Sequence, residues 1–256
     1  MTEVEIKNPT VRRRPSSGGY ARGEETRSRM VTVALRLFGD RGFDGVSTRE
    51  IAQEAGVNPP ALQYYFDSKE GLYRACAEHV AERALAAIEP MLSRAERLLA
   101  DNAPESALVE AYCAVSESMI ELMFSPEGVS WSGFLGAEQA GFGPGTAYPI
   151  LRERFADRLD RAFSAIVARL SGDPAKSMNA RLRVAAINGQ YMIFLSKRPL
   201  ALAILQTEAL TADQARLVKS IVIDHTRTLL SRLSSDHAGH SGGRSRKSSA
   251  RSRADP

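Results

Sequence analysis

GVNPPALQYYF, residues 56 to 66, sets adjacent prolines and a cluster of aromatics between two flanks that both carry a helical pattern. Inside a helix a proline costs about 3 kcal/mol, because it removes an amide donor and its ring meets the preceding turn. At the start of a helix the first amides have no intrahelical partner to lose. Asn58 is a capping residue type, so Pro59 takes the first helical position and Pro60 stands in the first turn. The prolines therefore begin a helix. Leu62 and Phe66, four apart, face a core, while Pro59, Pro60, Gln63 and part of Tyr64 look outward. A buried helix has little use for a rigid first turn and an exposed glutamine beside tyrosines.

Upstream, VSTREIAQEAGV (46–57) carries Ser47 followed three residues later by Glu50, a capping box, with Val46 and Ile51 at the positions of a hydrophobic staple. A short helix therefore starts at Thr48, and Gly56 supplies its stop. Ala52 and Ala55 are small enough for another helix to approach. Met30, Val33, Ala34, Leu37 and Phe38 recur at spacings of three and four, which predicts an earlier amphipathic helix from Glu25 to Asp40. Two short helices joined by a tight glycine-containing turn make a helix-turn-helix, whose second helix is the one that enters the major groove.

The run from Ala34 to Leu72, containing LFGDRGFDGVSTREIAQEAGVNPPALQYYFDSKEGL, resembles the DNA-binding domain of the TetR family of bacterial transcriptional regulators. The shared features are a helix ending in LF, the G-F turn, T-R-x-I-A, A-G-V, and x-L-x-Y-x-F followed by S-K-E-x-L. The chain departs from the family pattern at Pro60, often a small residue there, at Gln63, often tyrosine, and at Tyr65, often histidine. The resemblance implies that Arg49 donates two hydrogen bonds to guanine and Thr48 reaches a phosphate or adjacent base. Pro59, Pro60 and Ala61 would contact thymine methyls, Gln63 would pair with adenine, and Tyr64, Tyr65 and Lys69 would touch the backbone, with Asn58 at the same edge. Segments AINGQYMIF and HTRTLLSRL resemble the C-terminal domain of the CecR-like branch of that family.

No run alternates apolar and polar residues, so the chain is expected to be all-α. An N-terminal three-helix helix-turn-helix DNA-binding domain (24–70) would precede a helical effector-binding and dimerisation domain (71–233). A fourth helix from Lys69 toward Pro90 would connect them, with further helices near 105–124, 131–140, 148–170, 176–197 and 211–233. Ser125 to Gly128, Gly141 to Gly145 and Pro199 would break the pattern. The two ends, 1–23 and 234–256, are rich in Ser, Gly and Arg and poor in apolar residues, and are expected to be mobile basic arms. Lys7, Arg12, Arg13, Arg14 and Arg22 against Glu3 and Glu5 make the first +3. Arg244, Arg246, Lys247, Arg251 and Arg253 against Asp236 and Asp255 make the second +3, so the body carries −2 of the chain's net +4.

At 256 residues, 43% hydrophobic and 25% charged, the chain has the composition of an ordinary globular protein. It shows no apolar stretch near the roughly 20 residues of a membrane span and no secretory signal, so a cytoplasmic protein without membrane contact is expected. Cys76 and Cys113 read as small apolar residues, and no set of His, Cys or carboxylates stands at metal-ligand or catalytic spacing. No enzyme activity, metal or cofactor is expected. One short helix grips too few bases to select an operator, so a homodimer placing two recognition helices ~34–36 Å apart on a palindrome is expected. Its interface would use Leu217, Val218, Ile221, Val222, Leu229 and Leu230, with Val184, Ile187, Tyr191, Phe194 and Leu195. Trp131, Phe134, Glu138, Tyr148 and Gln190 are the candidate pocket for a small-molecule effector that releases a repressor from DNA. The rival reading is a helical architectural protein that binds nucleic acid through its basic arms without sequence preference.

Overall fold

A computed structural model describes residues 17–174, 176–196 and 198–251, with side chains described for 21–174, 176–194 and 198–237. Helices α1 (Ser17–Arg41), α2 (Thr48–Glu54) and α3 (Pro59–Phe66) form a head, and α4 (Lys69–Ala100) leads out of it. Helices α5 (Glu105–Phe124), α6 (Pro126–Gln139), α7 (Ala147–Leu151), α8 (Asp157–Ser171), α9 (Met178–Ser196), α10 (Arg198–Ile204) and α11 (Ala212–Arg251) complete the body. A π-helical turn, Arg152–Ala156, joins α7 to α8. No strand occurs among the described residues, in agreement with the all-α expectation.

Ser47 and Glu50 form the capping box the sequence predicts, and Gly56 ends α2 in a left-handed conformation, φ +64°. Val57 N–H bonds to the Ala52 carbonyl at 2.9 Å and Gly56 N–H to the Gln53 carbonyl at 3.1 Å, the paired bonds of a Schellman stop. Asn58 occupies the N-cap of α3, but its side chain makes no capping bond. Pro59 and Pro60 have no amides to offer, and the next amide, Ala61 N–H, already bonds to the Asn58 backbone carbonyl at 2.8 Å.

Several boundaries differ from the sequence expectation. Helix α1 starts at Ser17, inside the stretch read as an arm, and α11 continues through Arg251, past the Leu233 where apolar periodicity ends. Extending an existing helix adds one hydrogen bond per residue without a new nucleation cost, so the backbone outruns its apolar stripe. The remaining arm residues, 1–16 and 252–256, lie outside the described residues. Helix α4 passes through Pro90, because Ile88, Leu92 and Ala95 keep the same face buried on both sides of it. Arg158 also clamps Glu89 at 2.6 Å and Glu96 at 2.7 Å across that point. Ser125-Pro126-Glu127-Gly128 is the start of α6 and not a break: Ser125 Oγ accepts from Gly128 N–H at 3.1 Å with Pro126 at the first position. Pro199 likewise stands at the second position of the short helix α10.

Two apolar cores result. One joins α5, α8, α9 and α11 with the far half of α4. The other unites the head and the near half of α4 with Trp131 and Phe134 of α6 and Ala147 of α7. The division of the cores therefore does not fall at residue 70. Helices α1 and α6 touch backbone to backbone, since a Cβ on Gly39 would lie 2.8 Å from the Phe134 nitrogen and one on Gly133 would lie 3.2 Å from Gly39 Cα.

Candidate nucleic-acid interface and linked cavity

The head buries Leu62 and Phe66 of α3 against Ile51, Ala55 and Phe38. The opposite face of α3 is left bare, with Asn58, Pro59, Pro60 and Gln63 exposed, Ala61 half-buried and Tyr64 82% exposed. Arg49 and Thr48 stand at the N-terminal end of α2, Arg49 exposed and Thr48 half-buried. The side chains of Arg49 and Gln63 make no hydrogen bond or ion pair among the described residues, so their donors are free for an external acceptor.

The two remaining positions are set by packing. Tyr65 is half-buried against the head core, its ring edge-on to Tyr64 at 5.2 Å, and the Gly23 position of α1 passes near its hydroxyl. Lys69 lies with Nζ 4.3 Å above the Phe43 ring, a cation–π contact that fixes its ammonium beside α3.

The cap that orients Arg49 is charged. Ser47 N–H donates to Glu50 Oε2 at 2.8 Å, Ser47 Oγ donates to the same oxygen at 2.6 Å, and Arg41 pairs with Oε1 at 3.1 Å. These bonds, the Ser47 hydroxyl first, pull the Glu50 carboxyl from 4.5 down to about 2. A carboxyl lowered on folding contributes stability that is complete above pH 4.5 and lost as pH falls toward 2. Glu50→Gln should abolish this acid sensitivity: its thermal midpoint should lie below wild type near pH 7, with the gap closing as pH drops through that window. Ser47→Ala removes the cap itself and should lower urea stability by about 1 kcal/mol.

Above the head, α4, α5, α6, α7, the π turn, α8 and α9 line a cavity of ≈ 180 Å³ that opens at one side. Of the five pocket candidates, Trp131, Glu138 and Tyr148 line it. Phe134 does not: it is 0% exposed and packs 4.7 Å from the Tyr73 ring, on the head side of α6. Gln190 lies instead in a groove between α9 and α11 with Arg183, Leu229 and Arg232. Met119, Met123, Met192 and Phe155 also line the cavity. Isolated apolar residues on separate helices give no sequence signal for such a shared wall.

Glu138 connects cavity and head. Its carboxylate accepts from Tyr73 Oη at 2.8 Å, from Ala147 N–H at 3.0 Å and from Tyr148 N–H at 3.3 Å. Burial, reinforced by this carboxylate, raises the Tyr73 hydroxyl well above its usual range, so it stays a donor. The Tyr73 ring meets Phe38 at 5.0 Å and Phe43 at 5.3 Å, and Phe43 N–H bonds to the Phe142 carbonyl at 2.8 Å.

Among the described residues, α11 and α9 both leave apolar side chains bare. On α11, Leu217, Ile221 and Leu229 are 60%, 46% and 47% exposed, whereas Val222 and Leu230 are buried within the subunit and Val218 is half-buried. On α9, Val184, Ile187 and Tyr191 are buried and Phe194 is half-buried against Phe124. The α9 stripe read from the sequence is therefore internal packing; the exposed apolar residues of that helix are Met178 and Leu182. The Leu195 side chain lies outside the described residues. No helix among the described residues is long and apolar enough to cross a membrane.

Residues 31–76 match the family model for bacterial regulatory proteins of the tetR family, and residues 108–233 match that for the C-terminal domain of the HTH-type transcriptional dual regulator CecR. The chain is 30% identical over 214 residues to the HTH-type transcriptional dual regulator CecR of Shigella flexneri, covering 83% of this chain and 95% of that one. Among solved structures, AibR in complex with isovaleryl coenzyme A and operator DNA shares the fold, with TM-score 0.54, 19% identity and coverage of 77% of this chain and 96% of that chain. A TerR/AcrR-family regulator from Aquifex aeolicus VF5 does so with TM-score 0.52, 18% identity and coverage of 80% and 99%. With a bare outer face on α3, a helical body behind it and relatives that match along nearly their whole length, the chain belongs to the TetR family of DNA-binding transcriptional regulators.

Proposed function

We propose that two copies pair through the bare faces of α9 and α11, present their α3 helices to successive major grooves of a palindromic operator, and act as a repressor that a small molecule in the α4–α9 cavity releases. The observation that carries this reading is the state of α3: Gln63 and Tyr64 are exposed, and the side chains of Arg49 and Gln63 have no partner within the described residues, opposite a buried Leu62 and Phe66. Unpaired donors on a rigid, apolar-anchored helix are an arrangement for reading base edges. The relative AibR, whose structure holds both operator DNA and an acyl coenzyme A, is the kind of two-ligand protein this arrangement serves.

Release requires the ligand to prefer a head position that does not fit DNA, and a coupling of ~1–3 kcal/mol is sufficient. Glu138 is the lever. A ligand that displaces its carboxylate loosens Tyr73, and with it Phe43 and Lys69 beside the recognition helix. Tyr73→Phe keeps the ring packing and removes only the hydroxyl. It should cost about 1 kcal/mol of stability and weaken ligand-driven release more than operator binding itself; unchanged release in a gel-shift titration would sever this path.

Selection of fragments from the source genome by the purified protein, followed by footprinting, tests the whole reading. A protected palindrome with half-sites one helical turn apart is the expected result, together with a solution mass of two chains. Protection without sequence preference, or a one-chain mass, would overturn it.

A further inference from the structure

The cavity's polar groups fall into two kinds, those already engaged and one that is not. Glu138 has both oxygens occupied by Tyr73 Oη and the amides of Ala147 and Tyr148. Arg152 pairs with Asp157 at 2.8 Å and with the Tyr148 hydroxyl, so its charge is already matched. Asp160, on α8 at the rim, makes no hydrogen bond or ion pair among the described residues. The side chain is solvent-exposed; desolvation on its cavity side raises its carboxyl, Arg152 opposes that and Asp157 adds to it. The spare charge of the cavity is therefore negative. The lining carries Glu138 and Asp160 against Arg152 alone, on walls of methionine and aromatic side chains.

Size narrows the body of the ligand. A dry cavity of ~150 Å³ takes a benzene ring, and this one, at ≈ 180 Å³ and open at the rim, has room for one ring and a short chain. Thioether and aromatic walls favour a flat apolar group. A carboxylate or phosphate would meet two like charges and no unpaired cation, whereas an ammonium at the rim meets a carboxylate lacking its partner.

We propose that the cavity accepts a small aryl-alkyl ammonium ion, its ring between Met119, Met123 and Trp131 and its charged nitrogen on the carboxylate of Asp160. The proposal rests on the reading of this cavity as the effector site and adds the chemical class of the effector. It makes Asp160 the residue that sets charge preference, while Glu138 transmits occupancy to the head.

Trp131 is the chain's single tryptophan and lines the cavity, so its emission reports occupancy directly. Full-length protein is titrated with 2-phenylethylammonium chloride, with 2-phenylethanol as the neutral counterpart and with 3-phenylpropionate as the anion. Saturable change is expected for the ammonium ion at roughly tenfold or more tighter affinity than the alcohol, and none for the anion. Asp160→Asn should bring the ammonium ion to the affinity of the alcohol and leave the alcohol unchanged, which a merely structural role for Asp160 would not do. An ammonium ion no better than the alcohol, an anion that binds best, or an Asp160→Asn variant that weakens both ligands equally would overturn the proposal, as would silence from all three in the wild-type protein.

The same titrations on operator-bound protein keep the two claims apart. A neutral or anionic ligand that changes Trp131 emission and releases DNA removes the charge class and leaves the effector cavity standing. An ammonium ion that binds through Asp160 without releasing DNA supports the charge class and removes the effector reading.

Discussion

Phe134→Ala is expected to lower the stability of the protein by about 3–5 kcal/mol. The side chain is fully buried, its ring packs against Tyr73, and its backbone sits where α6 meets Gly39 of α1. Truncation there removes the ring and leaves a hole that the glycine-to-glycine contact cannot close, because the two backbones already touch. In a domain of this size each kcal/mol moves the melting midpoint by about 2–4 °C, so calorimetry should register a drop of roughly 10 °C. Phe134→Leu, which keeps most of the volume, should lose less than half of that. A melting point within a degree or two of wild type would refute its place in the head core.

Arg49→Ala should act on DNA and leave the fold alone. Arg49 is exposed and unpartnered, so thermal stability and solution mass should match wild type. A bidentate arginine–guanine contact is worth ~1–3 kcal/mol, and a two-fold complex loses it twice, so operator affinity should fall between roughly 30-fold and 10⁴-fold. The dependence on salt separates base reading from phosphate contact. Loss of a base contact relaxes sequence preference with little change in the salt slope, while Lys69→Ala, at the proposed phosphate contact, should weaken all sequences alike and reduce the slope by about one. Full operator affinity in the Arg49→Ala protein would remove this residue from the interface.

The residues that the sequence could place are those whose partners lie within a turn or two of the chain. Ser47 with Glu50, Gly56 after Ala55 and Pro59-Pro60 after Asn58 obey rules of capping and ring geometry that act over three or four residues, so the helix-turn-helix was readable, down to its bare face. The same local rule holds at Ser125-Pro126, where the serine caps α6 and the proline takes its first position. Trp131, Glu138 and Tyr148 line the cavity, whereas Phe134, in the same stretch of chain, packs into the head core and Gln190 lies on another surface.

What tertiary structure alone decided is everything that depends on distant segments meeting. Glu138 reaches Tyr73 across 65 positions of chain, Gly39 admits Gly133, Arg158 bridges both sides of Pro90, and Asp160 is left without a partner at the mouth of a cavity. A helix of period 3.6 states which residues share a face, and the sequence determined that much for α1, α3 and α11. Which faces then turn inward is chosen by how helices pack, since burial rewards any sufficiently apolar stripe equally. The stripe on α9 could be read from spacing, but only packing fixed it as interior and left Leu182 outside.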